Sequence, residues 1–308
     1  MTDATILIVL AVTSLGAATV NGALGYGYSS ISVPIALLVV AGRVLNPALV
    51  IVEVAINLYA LVWNRRAIGR VLGRVLPLAI GLAPGVVIGA LLLGRVAPAS
   101  AKLAVYLVLL PLILIQASGR RWPIRSERAA SLPLGAGVGI LYGLTTISGP
   151  PLALFWNNQG LAKEDFRVGL AVVRSIESLC ALAAYAWLGM LTHESAGLLT
   201  WIVPGVLIGV PIGHALIRRV SSETFRHACM SVDAYLVAFG LSRTLIELGI
   251  APGVAYQVLV ATAVVDLNLW WSFVHGHSPA RAQVRSIVHA EVVHESAPVL
   301  SPAGGVAA

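Results

Sequence analysis

Eleven apolar runs, each bounded by glycine, proline or charge, leave this chain one kind of architecture: helices packed within a lipid bilayer. They lie near residues 5–24, 29–42, 46–63, 75–94, 99–117, 131–147, 150–158, 168–189, 196–216, 225–247 and 252–274. A crossing helix needs about 20 residues at a rise of 1.5 Å each. Most runs approach that length, and two do not. The run at 29–42 reaches only about 21 Å as a helix and the run at 150–158 about 14 Å, against a hydrocarbon core of roughly 30 Å. Composition agrees with a membrane setting, because 58% of the chain is apolar and 11% charged, where a soluble domain carries about 25% charge. The N-terminus, MTDATILIVL, has no basic stretch ahead of its apolar run, so the first segment is expected to stay in the protein.

Both short runs follow a cluster of helix-breaking residues. The first is GALGYGYSSISVP, Gly22 to Pro34, and the second is GLTTISGPP, Gly143 to Pro151. Irregular backbone is tolerated at membrane depth only where protein or a water-filled cavity satisfies its polar groups. A helix break in corresponding positions of two halves points to a transport site. The short second arms predict re-entrant hairpins over 5–42 and 131–158, although two full crossings would give the same parity.

Arginine and lysine placement sets the sides. Arg65, Arg66, Arg70, Arg74, Arg120, Arg121, Arg125, Arg128, Lys163, Arg167, Arg218, Arg219, Arg226, Arg281 and Arg285 fall on one side of this topology. Only Arg43, Arg95 and Lys102 fall on the other, fifteen against three. The positive-inside rule makes the rich side cytoplasmic. Seven full spans then remain, with the N-terminus outside and the C-terminus in the cytoplasm of a cell with this protein in its inner (plasma) membrane. The first hairpin opens outward and the second inward. The net charge of +7 is spread over short loops, so no nucleic-acid partner is expected.

The halves repeat beyond the breaks. Pro84-Gly-Val-Val-Ile-Gly89 is echoed by Pro204-Gly-Val-Leu-Ile-Gly209, and Pro34 to Pro84 spans 50 residues where Pro151 to Pro204 spans 53. The expected fold is therefore an all-α polytopic membrane protein with an inverted repeat, each half a hairpin plus three transmembrane helices. The first repeat covers 1–125, the second 126–250, an additional span 251–275, and a cytoplasmic tail 276–308. Trp63, Trp187, Trp201, Trp270 and Trp271 fall near span ends, as an interfacial belt requires.

The candidate substrate site follows from the breaks. Glycines Gly22, Gly25, Gly27, Gly143 and Gly149 permit turns, and Ser29, Ser30, Ser32, Thr145, Thr146 and Ser148 supply hydroxyls. Pro34, Pro150 and Pro151 suit the first turn of each returning helix, whose unpaired amides would face an anion. Asn21, Tyr26, Tyr28 and Asn157 flank the breaks. Arg174 lies about two turns into a span, paired by spacing with Glu177, and an intramembrane charge is a functional hypothesis by default. Glu53, Asn57, Glu177 and Asp266 are candidates for a coupling proton or cation, as is Asp233, and each also reads as an ordinary helix contact. Gly81, Gly85, Gly89, Gly205, Gly209 and Gly213 read as close-packing stripes. Cys180 and Cys229 read as inert buried thiols. His275, His277, His289 and His294 match no ligand spacing, so no metal and no cofactor is expected. No HExxH, P-loop or serine elbow is present, which disfavours an enzyme.

The two break sequences, LAVVRSIES and the Pro-Gly spans together resemble the sulfite exporter TauE/SafE family over roughly residues 10 to 250. The resemblance implies a permease, often an exporter, of sulfite, sulfoacetate, related organosulfonates or carboxylates. It carries over no catalytic residue. One departure stands out: Tyr26 and Tyr28 interrupt glycines that commonly run together in the family's first copy. The function expected is alternating-access transport of a small anion around the two breaks, with a passive anion channel or an uptake permease as alternatives. A homodimer is left open.

Overall fold

The computed structural model describes residues 3–63, 65–118, 126–159, 161, 163–217, 219 and 222–275, and every secondary element among them is helical. The helices are α1 (Asp3–Leu24), α2 (Tyr28–Ala36), α3 (Gly42–Trp63), α4 (Ile68–Arg95), α5 (Pro98–Ser118) and α6 (Glu127–Thr145). They continue as α7 (Gly149–Asn158), α8 (Lys163–Trp187), α9 (His193–Leu216), α10 (Ser222–Glu247), the single turn α11 (Pro252–Ala255) and α12 (Gln257–Val274). The eleven expected runs are all present, and the boundaries shift mostly outward. Residues 68–74, expected as loop, form the first two turns of α4. Within these turns Arg70 pairs with Asp165 at 3.3 Å and Arg74 with Glu127 at 3.8 Å. Arg43 likewise sits in the first turn of α3, where it donates to the carbonyls of Leu93 and Gly94 at 3.2 and 2.6 Å. Those carbonyls end α4 and lack helical partners. Ser126 and Thr192 cap α6 and α9 with their side chains, as small hydroxyl residues do.

Among the described residues eight helices are long and apolar enough to cross a membrane, one more than expected, because the stretch Thr5–Leu24 of α1 qualifies by itself. At 22 residues α1 is about 33 Å long, whereas α2 and α7 have only 9 and 10 residues. Short second arms are thus present as expected, but the first arm is of full crossing length.

Glycines decide which helices pair. A β-carbon on Gly81, Gly85 or Gly89 of α4 would run into the backbone of Leu132, Ala136 and Ile140 on α6. One on Gly205, Gly209 or Gly213 of α9 would run into α1 near Leu15 and Thr19. The two series rise together, so α4 and α6 are parallel, and so are α9 and α1. Close backbone approach through small residues is how membrane helices gain packing without a hydrophobic driving force. In contrast α5 and α10 run antiparallel, since Tyr106 packs on Gly240 while Lys102 bonds Glu247 at 3.5 Å. The remaining contacts come in matched sets: α4 with α8 and α9 with α3, α5 with α7 and α10 with α2, and α3 with α8 at the centre. Only 11% of the apolar window of the Pro252–Val274 stretch is buried, so α12 lines the outside, with Trp271 exposed.

Candidate functional site

Each chain break consists of three residues, and the first of them adopts a left-handed conformation. In the α1–α2 break Gly25 has φ 81° and Gly27 φ 102°, and in the α6–α7 break Thr146 has φ 59°. Glycine takes such angles freely, but a β-branched threonine does so at a cost. Apart from the exposed Gly25 the breaks and the residues after them are buried: Tyr26, Ser29, Ser30, Thr146 and Ser148 are each at most 2% exposed. The returning helices α2 and α7 touch each other. A β-carbon on Gly149 would lie 3.5 Å from the Ser30 hydroxyl and 3.7 Å from the Gly27 amide. The structure therefore brings the starts of α2 and α7 face to face.

The hydroxyls divide sharply in what they bind. Ser32 donates to the carbonyl of Tyr28, Thr145 to that of Leu141 at 2.6 Å, and Thr146 to that of Thr145 at 2.6 Å. The Thr145 hydroxyl also accepts from the Ile147 amide at 3.1 Å. Those three build the breaks and have no donor to spare. Ser30 has no hydrogen-bond partner, and Ser148 donates to Glu177 Oε2 at 2.5 Å. The tyrosines are tied to the scaffold. Tyr26 accepts from Gln116 at 2.9 Å, and Tyr28 shares a 3.1 Å bond with Ser14, which itself donates to the carbonyl of Ile202. Gly22 packs against Val210 of α9, and the Asn21 carbonyl accepts from the Gly25 amide at 2.7 Å.

Two expectations are corrected here. Pro34 does not open α2, because the helix begins at Tyr28 directly after the left-handed Gly27; Pro34 lies in its last turn. Its carbonyl is among those a helix end leaves without an internal partner, and Tyr106 donates to it at 3.2 Å. Arg174 does not pair with Glu177. Its Nη2 crosses from α8 to α3 and donates to Glu53 Oε1 at 2.7 Å, both side chains being at most 2% exposed. Glu177 turns instead to Ser148. Spacing along one helix brings i and i+3 near each other, but a carboxylate on a packed neighbour competed better.

The resulting network joins α3, α6 and α8, and the Ser148–Glu177 bond ties the second break to α8. Tyr142 donates to Glu53 Oε2 at 2.5 Å, and Asn57 bonds the Arg174 carbonyl at 3.2 Å and Ser178 at 3.4 Å. Nε and Nη1 of Arg174 and Oε1 of Glu177 are buried without partners. Burying donors unpaired costs free energy, so two free guanidinium nitrogens mark a place for a ligand's acceptors. Asp266 lies elsewhere: it accepts from Ser231 at 2.8 Å where α12 meets α10, beside Trp270. Pro150 is buried at the start of α7. The side chain of Asn157, the loop arginines Arg120, Arg121, Arg125 and Arg218, and His277, His289 and His294 lie outside the described residues. Ser14, Gln116, Tyr142 and Ser178 were not anticipated. Their signal was available, since each is a polar side chain inside an otherwise apolar run.

A cavity of about 140 Å³ opens beside this network, lined by Arg43, Asn46, Lys102, Leu93, Leu144 and Thr145 among others. It runs from the end of α3 bearing Arg43 down to the second break. At the other break Arg167 reaches across, its Nη2 donating to the Ala23 carbonyl at 2.8 Å.

No curated protein and no solved structure gives a match to the chain. A family model described as sulfite exporter TauE/SafE matches residues 10–239. That stretch takes in both breaks, the Arg174–Glu53 pair and both glycine-packed helix pairs. This multi-pass membrane protein, a transporter and not an enzyme by kinship, belongs to the sulfite exporter TauE/SafE family.

Proposed function

We propose that the chain is a secondary permease for a small oxyanion, sulfite or an organosulfonate, held where the starts of α2 and α7 meet. The observation that carries this reading is the buried set of unused donors: Nε and Nη1 of Arg174 and the hydroxyl of Ser30. A tetrahedral or pyramidal oxyanion offers several acceptors and a charge, which a planar guanidinium matches well. The first-turn amides of α2 have no acceptor within their helix and no side-chain cap, and they add the partial positive charge of a helix N-terminus. The α7 start supplies little of this, because Pro150 and Pro151 carry no N–H.

The proposed mechanism is alternating access by an inverted repeat of α1–α5 and α6–α10, residues 1–125 and 126–250, with α12 outside it. The matched helix pairings support the repeat, and the packing directions support re-entrant hairpins. If α4 enters from one face, its parallel partner α6 enters there too. The antiparallel α5 and α10 then require α8 to start on that same face, so α6 and α7 go in and come back. The same reasoning returns α1 and α2 to the opposite face. The arginine-rich face is cytoplasmic in this reading, in an inner (plasma) membrane with the C-terminus inside. The cavity by Arg43 then opens outward, while Arg167 closes the inner approach.

Flux into proteoliposomes tests the proposal, using sulfite, sulfate, sulfoacetate and a simple carboxylate. Saturable, counter-transported uptake of a sulfur oxyanion is expected. Flux without saturation or exchange would identify a passive channel, and no flux of any anion would sink the reading.

A further inference from the structure

Of the buried acids in the described helices, one alone connects to a break. Both oxygens of Glu53 are engaged, by Arg174 and Tyr142. Asp266 is bound to Ser231 at the edge of the bundle. Asp233 on α10 has no partner, and no bond ties it to either break. Glu177 accepts from Ser148, the residue that immediately precedes α7, and keeps Oε1 free while its side chain is 0% exposed.

The charges around Glu177 do not balance if it is ionised. Facing it are Glu53 from α3, Tyr142 from α6, Ser148 from the break, and Arg174 and Cys180 from its own helix. The buried face of α4 brings no titratable group. A single guanidinium, already taken by Glu53, stands against two carboxylates. An ionised Glu177 would be an uncompensated charge inside the membrane and would repel an anion approaching Arg174. A protonated Glu177 removes that repulsion and turns its free Oε1 into a hydroxyl donor, since a neutral carboxyl carries one O–H.

We propose that Glu177 is the proton site of the transport cycle, loaded when the anion binds beside Arg174 and emptied when the anion leaves on the other side. Anion and proton then move in the same direction, and a monovalent anion crosses without net charge. This rests on the permease reading and deepens it by naming the coupled ion and its carrier. Ser148 makes the link mechanical: its hydroxyl holds the acid, and its backbone leads directly into α7, so the proton's arrival or departure is felt at the start of that helix.

The test uses the full chain in proteoliposomes containing a trapped pH-sensitive dye, with sulfoacetate and sulfate as probes, both fully ionised at and above neutral pH. For the wild type, uptake of anion should carry protons inward at one per anion. Its rate should fall about tenfold for each pH unit above a single midpoint, as for any step needing one bound proton. Glu177→Gln should move anion at a reduced rate, with no proton movement and a flat pH profile. Should that variant fail to fold, Ser148→Ala gives an independent reading. Its lost hydroxyl favours the ionised carboxylate, so the midpoint should move to higher pH with the proton ratio unchanged. Proton movement persisting in Glu177→Gln, or a midpoint unmoved in Ser148→Ala, would overturn the proposal. Wild-type anion uptake without protons would overturn it and leave the permease standing. Uptake of neither probe would remove the permease itself.

Discussion

The two chain breaks do the same geometric job with different chemistry. At the first, glycines at 25 and 27 take the left-handed turn without strain, tyrosines at 26 and 28 anchor it to α5 and α1, and the start of α2 keeps its amides and the Ser30 hydroxyl uncommitted. At the second, Thr146 takes the left-handed turn under strain, and Thr145 and Thr146 spend their hydroxyls on nearby backbone. Two prolines leave Gly149 as the sole amide donor among the first three residues of α7. What the second break has instead is a direct bond to a buried acid. In the proposed mechanism the breaks have separate tasks: one offers donors to the anion, and the other connects α7 to a titratable group.

The largest effect should come from the charge between the breaks. Arg174→Ala leaves Glu53 buried without its partner, a loss of about 3–5 kcal/mol, and should abolish both transport and a cooperative melt in detergent. Arg174→Lys keeps one charge for Glu53 but not the planar pair of free nitrogens. It should melt near the wild type while anion affinity falls by more than tenfold, and unaltered affinity would show that those nitrogens hold no ligand. Next come the two serines. Ser30→Ala should leave the melting temperature unmoved and weaken anion binding roughly fivefold to tenfold, the worth of about 1–1.5 kcal/mol for a hydrogen bond. Ser148→Ala should instead cost about 1 kcal/mol of stability through its lost bond to Glu177. If the two behaved alike, the division of labour between the breaks would be wrong.

Backbone strain sharpens the same contrast through the left-handed positions. Gly27→Ala forces a β-carbon into a left-handed angle and should cost about 1–2 kcal/mol. Thr146→Gly relieves that conflict and should gain up to about 1 kcal/mol, less the lost hydroxyl contacts. Thermal melts of the pair should therefore move in opposite directions. Tyr26→Phe, which removes the acceptor for Gln116, should have the least effect, at about 0.5 kcal/mol.

Much of the fold was legible because a membrane restricts the alphabet of structure. Apolar run length distinguishes α2 and α7 from crossing helices, and the glycine series on α4 and α9 announces close packing before any partner is known. The candidate site was legible in part. Ser30 and Arg174 stood out as polar groups at depth, and glycine, hydroxyl and proline content placed the breaks within 22–34 and 143–151, which the structure narrows to 25–27 and 146–148. The reach of a side chain was not legible. Helical spacing suggested Arg174 with Glu177, yet the guanidinium crosses to Glu53, and the freed Glu177 finds Ser148. Asp266 looked equivalent to the other buried acids and is instead held by Ser231 at the bundle's edge.

The sequence by itself determined the helices, the positions of the breaks and the chemistry available at each. Those follow from local terms: the length of an apolar run, the torsions of glycine, the missing N–H of proline. Only the tertiary structure decided which donors are used up and which remain. That outcome depends on competition among partners on different helices, where a carboxylate across an interface can win over one a single turn away.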